Sequence, residues 1–344
     1  MNGAKHLLSL FARAAQNHIP LEVSLELTHH CNFRCRHCYI PDFGIPDGLT
    51  TERIFRLLDE LVDMGTLYLA LTGGEMMLRR DWPAIARRSR ELGFFLTFLT
   101  NGSLIGEEEA DVIAGLPAKT EISFYSADEA TFDAITTRPG SFRRVRRAID
   151  LLLARGVEVK LKMPVMTLNR RDIRGVAELA GRLGVDWQAF PDIIAKKNGD
   201  PGPLQLRVPR GELPAIYSGP ISGCGIDADH ATIERDPDAP LCAAGSRYAN
   251  VTAAGDVLAC NILPGAAGNI NERSFRDIWE SSPWLEKIRS IRFSDLPVCS
   301  SCPVATHCGR CMAQALVEDG DILGPSSWAC GQADVRARMA RKGA

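Results

Sequence analysis

Cys31, Cys35 and Cys38 fall within eight residues, in Cys31-Asn32-Phe33-Arg34-Cys35-Arg36-His37-Cys38. Three thiolates at this CxxxCxxC spacing can each bind a different iron of a cubane [4Fe–4S] cluster, leaving the fourth iron without a protein ligand. An open coordination position separates a catalytic metal centre from a closed structural one. Zinc is the competing occupant; it would take a fourth ligand from His29, His30 or His37. The other eight of the 11 cysteines are Cys224, Cys242, Cys260, Cys299, Cys302, Cys308, Cys311 and Cys330, and none falls between Cys38 and Cys224. Cysteines scattered through a core would not divide this way, so both groups point to metal or redox chemistry.

The rest of the composition is that of an ordinary globular chain. At 344 residues, 45% hydrophobic and 24% charged, it is long enough for a large catalytic domain and a smaller appendage. A formal net charge of −2 gives no electrostatic footprint for nucleic acid. Near the N-terminus, Lys5, His6 and Arg13 surround an apolar patch at 7–12, too short and interrupted for a signal peptide or a membrane span. A cytoplasmic location is expected, where reducing conditions disfavour disulfides.

The elements that must position the triad are legible as an alternation. Runs rich in Val, Leu, Ile, Phe and Thr at 21–28, 67–72, 94–100, 120–125, 157–166 and 185–190 suit buried parallel strands. Amphipathic patterns at 51–64, 81–92, 106–115, 141–155 and 170–183 suit helices between them. Gly65, Gly93, Gly156 and Gly184 stand where left-handed helix ends are expected, and Thr50 or Thr51 and Asp81 are the expected N-caps. Right-handed crossovers then give an α/β sheet, curled into a partial barrel or left flat, with chemistry in the loops beyond the carboxyl ends of its strands. Those loops are 28–48 with the triad, Thr72-Gly73-Gly74-Glu75, and Thr100-Asn101-Gly102. Strong turn signals at 196–203 mark a bridging segment. The expected division is an N-terminal extension at 1–20, a barrel at 21–195, a bridge at 196–240 and a cysteine-rich domain at 241–344. The last would contain a hairpin at 248–260 and a helix at 274–291.

CxxxCxxC after the first strand of such a unit resembles the radical S-adenosylmethionine (SAM) superfamily. The resemblance implies an α/β fold, a partial (β/α)6 TIM-like barrel, in which the open iron chelates SAM. Reduction then cleaves SAM to methionine and a 5′-deoxyadenosyl radical that abstracts hydrogen from substrate. By the same resemblance Tyr39 would pack near the adenine, and Gly73, Gly74 and Glu75 would take the SAM amine. Ser123 would meet the ribose, Asn101 would lie near the cofactor, and Arg138 would reach its carboxylate. Read from the residues alone, core filler is the lesser alternative for Tyr39, and Arg138 is equally a solvated surface arginine. Tyr125-Ser126 departs from the Ser-Leu-Asp-Gly common in relatives.

The second cysteine group on its own reads as a zinc ribbon. Together with the triad, its order resembles a SPASM domain, a C-terminal extension that binds auxiliary [4Fe–4S] clusters; Gly268-Asn269-Ile270 and Ile278-Trp279 add to the likeness. That implies one cluster on Cys299, Cys302, Cys308 and Cys330. A second would sit on Cys242, Cys260 and Cys311, with Cys224 as fourth ligand or, failing that, as a buried structural cysteine. Cys308-x2-Cys311 is one residue shorter than the usual spacing.

SPASM enzymes mostly modify ribosomally made peptides or proteins, by crosslinking or side-chain oxidation. Sulfatase-maturing members place an aspartate directly after the cysteine matching Cys260; here Asn261 stands there and cannot accept a proton. Weak candidate bases are Glu26, Lys162 and Asp192. The resemblance implies a peptide or protein substrate and a reductase such as flavodoxin or ferredoxin. The residues before the first strand are too few for a winged-helix leader-binding domain, so leader recognition would need a separate protein or the barrel mouth. Two alternatives stand beside this: a small-molecule or cofactor-biosynthesis enzyme, for instance one processing tetrapyrrole side chains, and a zinc- or cluster-binding protein without catalysis. No nucleic acid or membrane partner is expected.

Overall fold

Helix α1 (Asn2–Gln16) leads into β1 (Glu22–Glu26), which opens a run of alternating elements in the computed structural model; residues 2–219, 237–238 and 240–343 are described. These are α2 (Thr51–Asp63), β2 (Tyr68–Thr72), α3 (Trp82–Glu91), β3 (Phe95–Thr100), α4 (Glu107–Ala114) and β4 (Ala118–Ser123). Next come α5 (Glu129–Thr136), α6 (Ser141–Ala154), β5 (Val159–Pro164), α7 (Ile173–Leu183), β6 (Asp186–Phe190) and α8 (Leu213–Tyr217). The C-terminal part holds β7 (Tyr248–Val251), β8 (Asp256–Leu258), β9 (Ala266–Asn269), α9 (Phe275–Ser281), α10 (Pro283–Ser290), α11 (Met312–Asp319) and α12 (Ser327–Gly343).

Strands β1 to β6 lie in the order 6-5-4-3-2-1, every pair parallel, so each crossover helix returns the chain to the same end of the sheet. The six do not close on themselves. β1 pairs on its other side with β7, also parallel, and β8 and β9 continue antiparallel, giving one nine-stranded sheet. The partial barrel and the cysteine-rich segment therefore share a backbone ladder. Tyr248 donates its hydroxyl to Ser24 across that seam at 2.9 Å.

Burial explains the strand composition. Leu25, Leu71, Phe98, Ile122 and Leu161 are fully enclosed between the sheet and helices α2 to α7. The four helix-terminal glycines adopt φ of +84°, +89°, +72° and +66° at Gly65, Gly93, Gly156 and Gly184. Thr50 caps α2 by accepting from the Arg53 amide. Asp81 makes no cap bond; its carboxylate is held instead by the Arg79 guanidinium at 2.7 Å and 3.0 Å.

Elements α8, β9, α11 and α12 form where none was expected from the sequence, and three others differ from the expectation. The N-terminal residues form α1, where Phe11 stacks on Tyr68 of β2. Helix α5 arises in a stretch with no strong periodicity. The single helix expected at 274–291 is two, because Pro283, lacking an amide hydrogen, ends one and starts the next. Among the described residues no helix is long and apolar enough to cross a membrane.

Candidate active site

Three loops at the carboxyl ends of β1, β2 and β3 are tied to one another by backbone and side-chain hydrogen bonds. The Gly74 amide donates to Thr28 O and the Glu75 amide to His30 O, both at 2.8 Å, so the second loop runs as an extra ladder beside the residues entering the triad. This approach demands glycine. A Cβ at Gly73 would lie 2.5 Å from Thr28 O, and one at Gly74 would lie 2.3 Å from His30 O. The third loop joins through Asn101, which donates to the Asn32 side chain at 2.9 Å, while Asn32 donates to Ser103 at 2.8 Å. Helix α5 supports the triad from the far side: the Arg34 and Arg36 amides donate to Thr136 O and Ile135 O. Phe33, 2% exposed, anchors the loop in the core between the thiols.

The triad opens onto a cavity of about 620 Å³. Cys31, Cys35 and Cys38 line it, as do Tyr39, Gly73, Gly74, Asn101 and Ser123. Burial pushes the Cys31 thiol up to about 11 and the Cys35 thiol up to about 12, and raises Cys38; Cys31 also feels Cys38, and Cys35 feels both Cys38 and Cys31. Beside Cys38, burial lowers His37 to about 4. Such thiols are inert unless a metal takes the proton's place. Tyr39 is half-buried, desolvation raises its hydroxyl's pKa, and it hydrogen-bonds Asn261, the residue standing where an aspartate base would be.

Other expected site residues lie elsewhere. Glu75 does not line the cavity: its carboxylate is buried and accepts from Thr100 Oγ1 at 2.7 Å and the Asn101 amide at 2.8 Å. It clamps the second loop to the third, and burial raises its pKa. Arg138 is exposed outside the cavity, because the chain turns outward after Thr137 at φ +55°. Glu26 is also withdrawn, accepting from Asn250 at 3.0 Å and pairing with Lys197 at 3.1 Å. Lys162 reaches the cavity but pairs with Glu121 at 3.2 Å. Asp192 lines the cavity, where one carboxylate oxygen accepts from Gln332 at 2.9 Å and Trp328 at 3.3 Å. The sequence reading missed Gln332, Arg336 and Tyr217 on the same wall. Gln332 and Arg336 follow Cys330 on α12 but belong to no motif themselves, nor does Tyr217, and only the fold brings them there.

The distant cysteines sort by proximity. Cys242 is pushed up to about 11 by burial first and then by Cys260 and Cys311 beside it. Cys330 is raised by burial and then by Cys308, Cys299 and Cys302. Cys311 lines the main cavity opposite the triad. Cys224 lies outside the described residues. Among the described residues no two cysteines are joined in a disulfide. The donor chemistry fits iron–sulfur clusters: three separate all-sulfur sets, each packed closely enough for its thiols to interact, with the triad facing space for a ligand.

Tyr125 lies 5% exposed against the triad, its hydroxyl 3.5 Å from Cys35 Sγ. Once Cys35 holds iron as a thiolate, that hydroxyl is the donor, and hydrogen bonds to cluster sulfurs raise the potential. Tyr125→Phe is expected to make the triad cluster harder to reduce by about 20–65 mV, the one-electron equivalent of ~0.5–1.5 kcal/mol. Redox titration followed by EPR checks this.

A (β/α)6 partial barrel with an all-sulfur triad at its carboxyl end, continued by a cysteine-rich extension, defines an iron–sulfur enzyme of the radical type. The radical SAM superfamily model matches residues 25–180, and a SPASM model, described as an iron-sulfur cluster-binding domain, matches residues 242–303. The chain belongs to the radical SAM superfamily and carries a SPASM domain. It is 29% identical over 323 residues to a PqqA peptide cyclase of Xanthomonas euvesicatoria pv. vesicatoria, covering 88% of this chain and 85% of that one. It is 28% identical over 337 residues to an AdoMet-dependent heme synthase of Methanosarcina barkeri, covering 90% and 96%. Streptococcus suis SuiB bound to precursor peptide SuiA has a similar fold, with TM-score 0.72, 17% identity, and coverage of 96% of this chain and 80% of that one. So does anSMEcpe with bound AdoMet, with TM-score 0.72, 15% identity, and coverage of 94% and 98%. The protein is thus an enzyme whose cofactors are [4Fe–4S] clusters and SAM.

Proposed function

We propose that the enzyme modifies a ribosomally made peptide or protein by radical crosslinking or side-chain oxidation. The observation that carries this reading is that the triad and Cys311, of the second thiol set, line one cavity. A substrate held there sits between the centre that starts the chemistry and one able to accept an electron. The 29% likeness to a peptide cyclase over most of both chains supports a peptide as that substrate.

In this reading Cys31, Cys35 and Cys38 hold the SAM-binding cluster. Cys299, Cys302, Cys308 and Cys330 hold one auxiliary cluster, and Cys242, Cys260 and Cys311, with Cys224, hold the other. When bound, the clusters and SAM supply reductive C–S cleavage and a hydrogen-abstracting radical. The chain's own residues do the rest. Gly73 and Gly74 let the methionyl end approach the backbone. Tyr39, Asn101 and Ser123 line the space for the remainder of SAM, and the apolar wall excludes water. Asp192 is the best placed of the candidate bases, with one oxygen held by Gln332 and Trp328 and the other left to take a proton from substrate. Asp192→Asn is expected to leave SAM cleavage intact while slowing product formation by about 10²- to 10⁴-fold; 5′-deoxyadenosine and product measured in the same reaction check this.

An electron donor such as flavodoxin or ferredoxin, a separate leader-binding protein and a cytoplasmic location complete the reading. The likeness to an AdoMet-dependent heme synthase favours a second reading, shortening of tetrapyrrole side chains. The deciding experiment is anaerobic incubation of reconstituted enzyme with SAM, a reductant and either a short peptide encoded beside the gene or a propionate-bearing tetrapyrrole. Loss of hydrogen from the peptide, seen by mass spectrometry, supports the first reading. Shortened tetrapyrrole side chains with unmodified peptide replace it by the second.

A further inference from the structure

Arg336 on α12 is 6% exposed, yet it lines the cavity. Its Nε donates to His307 O at 2.8 Å, and its Nη1 reaches the Tyr217 hydroxyl at 3.4 Å. Nη2 is buried with no partner, and no carboxylate among the described residues pairs with the group. Burying a guanidinium is unfavourable unless an anion compensates, so nearly all such groups are paired. Other arginine nitrogens lack partners in this fold, on Arg90, Arg146, Arg289 and Arg310, but none of those residues lines the cavity. The charged side chains beside it on the wall are engaged, Lys162 with Glu121 and Asp192 with Gln332 and Trp328, and His37, whose buried Nδ1 also lacks a partner, is a neutral imidazole. Arg336 is therefore a cation held ready on the C-terminal wall, facing the same space as the triad.

We propose that Arg336 is a substrate-binding residue that receives a carboxylate, and that the enzyme's substrate carries one close to the atom that reacts. The unpartnered Nη2 can give a charge-assisted hydrogen bond with defined direction to a carboxylate that reaches it, while His307 O and the Tyr217 ring, 5.5 Å from the guanidinium, fix the plane. On the peptide reading the carboxylate is an acidic side chain or a C-terminus. The peptide part of the inference rests on that reading; the anion site does not.

Two probes test it on reconstituted holoenzyme with SAM under anaerobic conditions. The first is glutarate against its uncharged counterpart glutaramide, followed by thermal unfolding. Glutarate is expected to raise the Tm of the wild type, and of Arg336→Lys more weakly. Glutaramide should do nothing, and Arg336→Gln should lose the response, with circular dichroism verifying that each variant is folded. An equal response of wild type and Arg336→Gln, or no response to glutarate in the wild type, overturns the anion site. The second probe is a randomised library of synthetic dodecapeptides, each made as free acid and as C-terminal amide. Enrichment of Asp or Glu at one position identifies a side-chain source, and preference for the free acids identifies a C-terminal one. Arg336→Gln should weaken binding of the enriched peptides by roughly 10- to 100-fold. Absence of peptide binding alongside a glutarate response sinks the peptide reading and leaves the anion site standing. Should Arg336→Gln instead shift an auxiliary cluster's potential and leave both probes unchanged, Nη2 serves the cluster and the proposal fails.

Discussion

Alanine at Cys31, Cys35 and Cys38 together is expected to give a folded protein that forms no 5′-deoxyadenosine and has lost about four irons of the roughly twelve that three filled clusters would hold. The thiols contribute little packing of their own: each is partly exposed on a cavity wall, and Phe33 and the ties to α5 hold the loop. A triple variant that still cleaves SAM would remove the triad from the chemistry. Gly74→Ala is expected to come close to the same loss with all three thiols present. Its Cβ would fall 2.3 Å from His30 O, 2.6 Å from His29 O and 2.6 Å from the His30 carbonyl carbon. All of these are backbone atoms directly before Cys31, so relief requires the triad loop itself to move. Overpacking of this kind costs about 1–3 kcal/mol of stability, which a protein of this size survives. Misplacement by about 1 Å at a reacting centre costs on the order of 100-fold in rate. The variant should therefore melt as one cooperative unit a few degrees lower while 5′-deoxyadenosine formation falls by about two orders of magnitude. Full activity in Gly74→Ala would mean that the second loop does not fix the first.

The triad's role was legible because its information is local: spacing, strand context and a glycine pair nearby. The helix-ending glycines were legible for the same reason, since a left-handed residue before a strand is a property of a few neighbouring residues. Helix α5 was not. It has eight residues, follows the turn-like Ser126-Ala127-Asp128, and owes its place to packing of Phe132 against Phe124 and Phe142. Its last turn is nevertheless the platform on which Arg34 and Arg36 rest. The candidate bases were separable only by partners far along the chain. Glu26 is withdrawn by Lys197 and Asn250, whereas Asp192 is kept in the cavity by Gln332. Arg336 had no local mark at all, because what distinguishes it is a missing partner inside a cavity that exists only in the fold. Glu75 was legible from its motif, but its partners Thr100 and Asn101, on the next loop, were not.

Glu318→Gln is expected to be the most destabilising single change outside the sheet core, and its effect should spread from stability to catalysis. Arg207 donates through Nη2 to Glu318 Oε1 at 2.8 Å and Oε2 at 2.7 Å, with the two side chains 13% and 4% exposed. The same guanidinium donates to Ile193 O at 2.7 Å and lies over the Trp328 ring at 4.6 Å. Glu318 in turn accepts from the Ala195 amide at 3.3 Å. One ion pair thus joins the segment after β6 to α11 and α12, through Ile193 and Ala195, one and three residues beyond Asp192. Removing the charge from one partner leaves a buried guanidinium uncompensated, which typically costs 3–5 kcal/mol, roughly. Much of that penalty should fall on the contact between barrel and C-terminal helices rather than on the parallel sheet. Limited proteolysis is then expected to cleave near residues 191–207 in the variant well before the wild type is cut, and chemical denaturation should show the midpoint reduced. With the 191–195 segment loosened, Asp192 loses its fixed angle to Gln332 and Trp328, so product formation should fall further than SAM cleavage. A double variant, Arg207→Met with Glu318→Leu, removes both charges and should recover much of the stability, since an apolar pair of similar volume is often as stable as a buried ion pair. If the double variant is as unstable as Glu318→Gln, hydrogen bonding to Ile193 O and Ala195, rather than the unpaired charge, is what holds the two parts together.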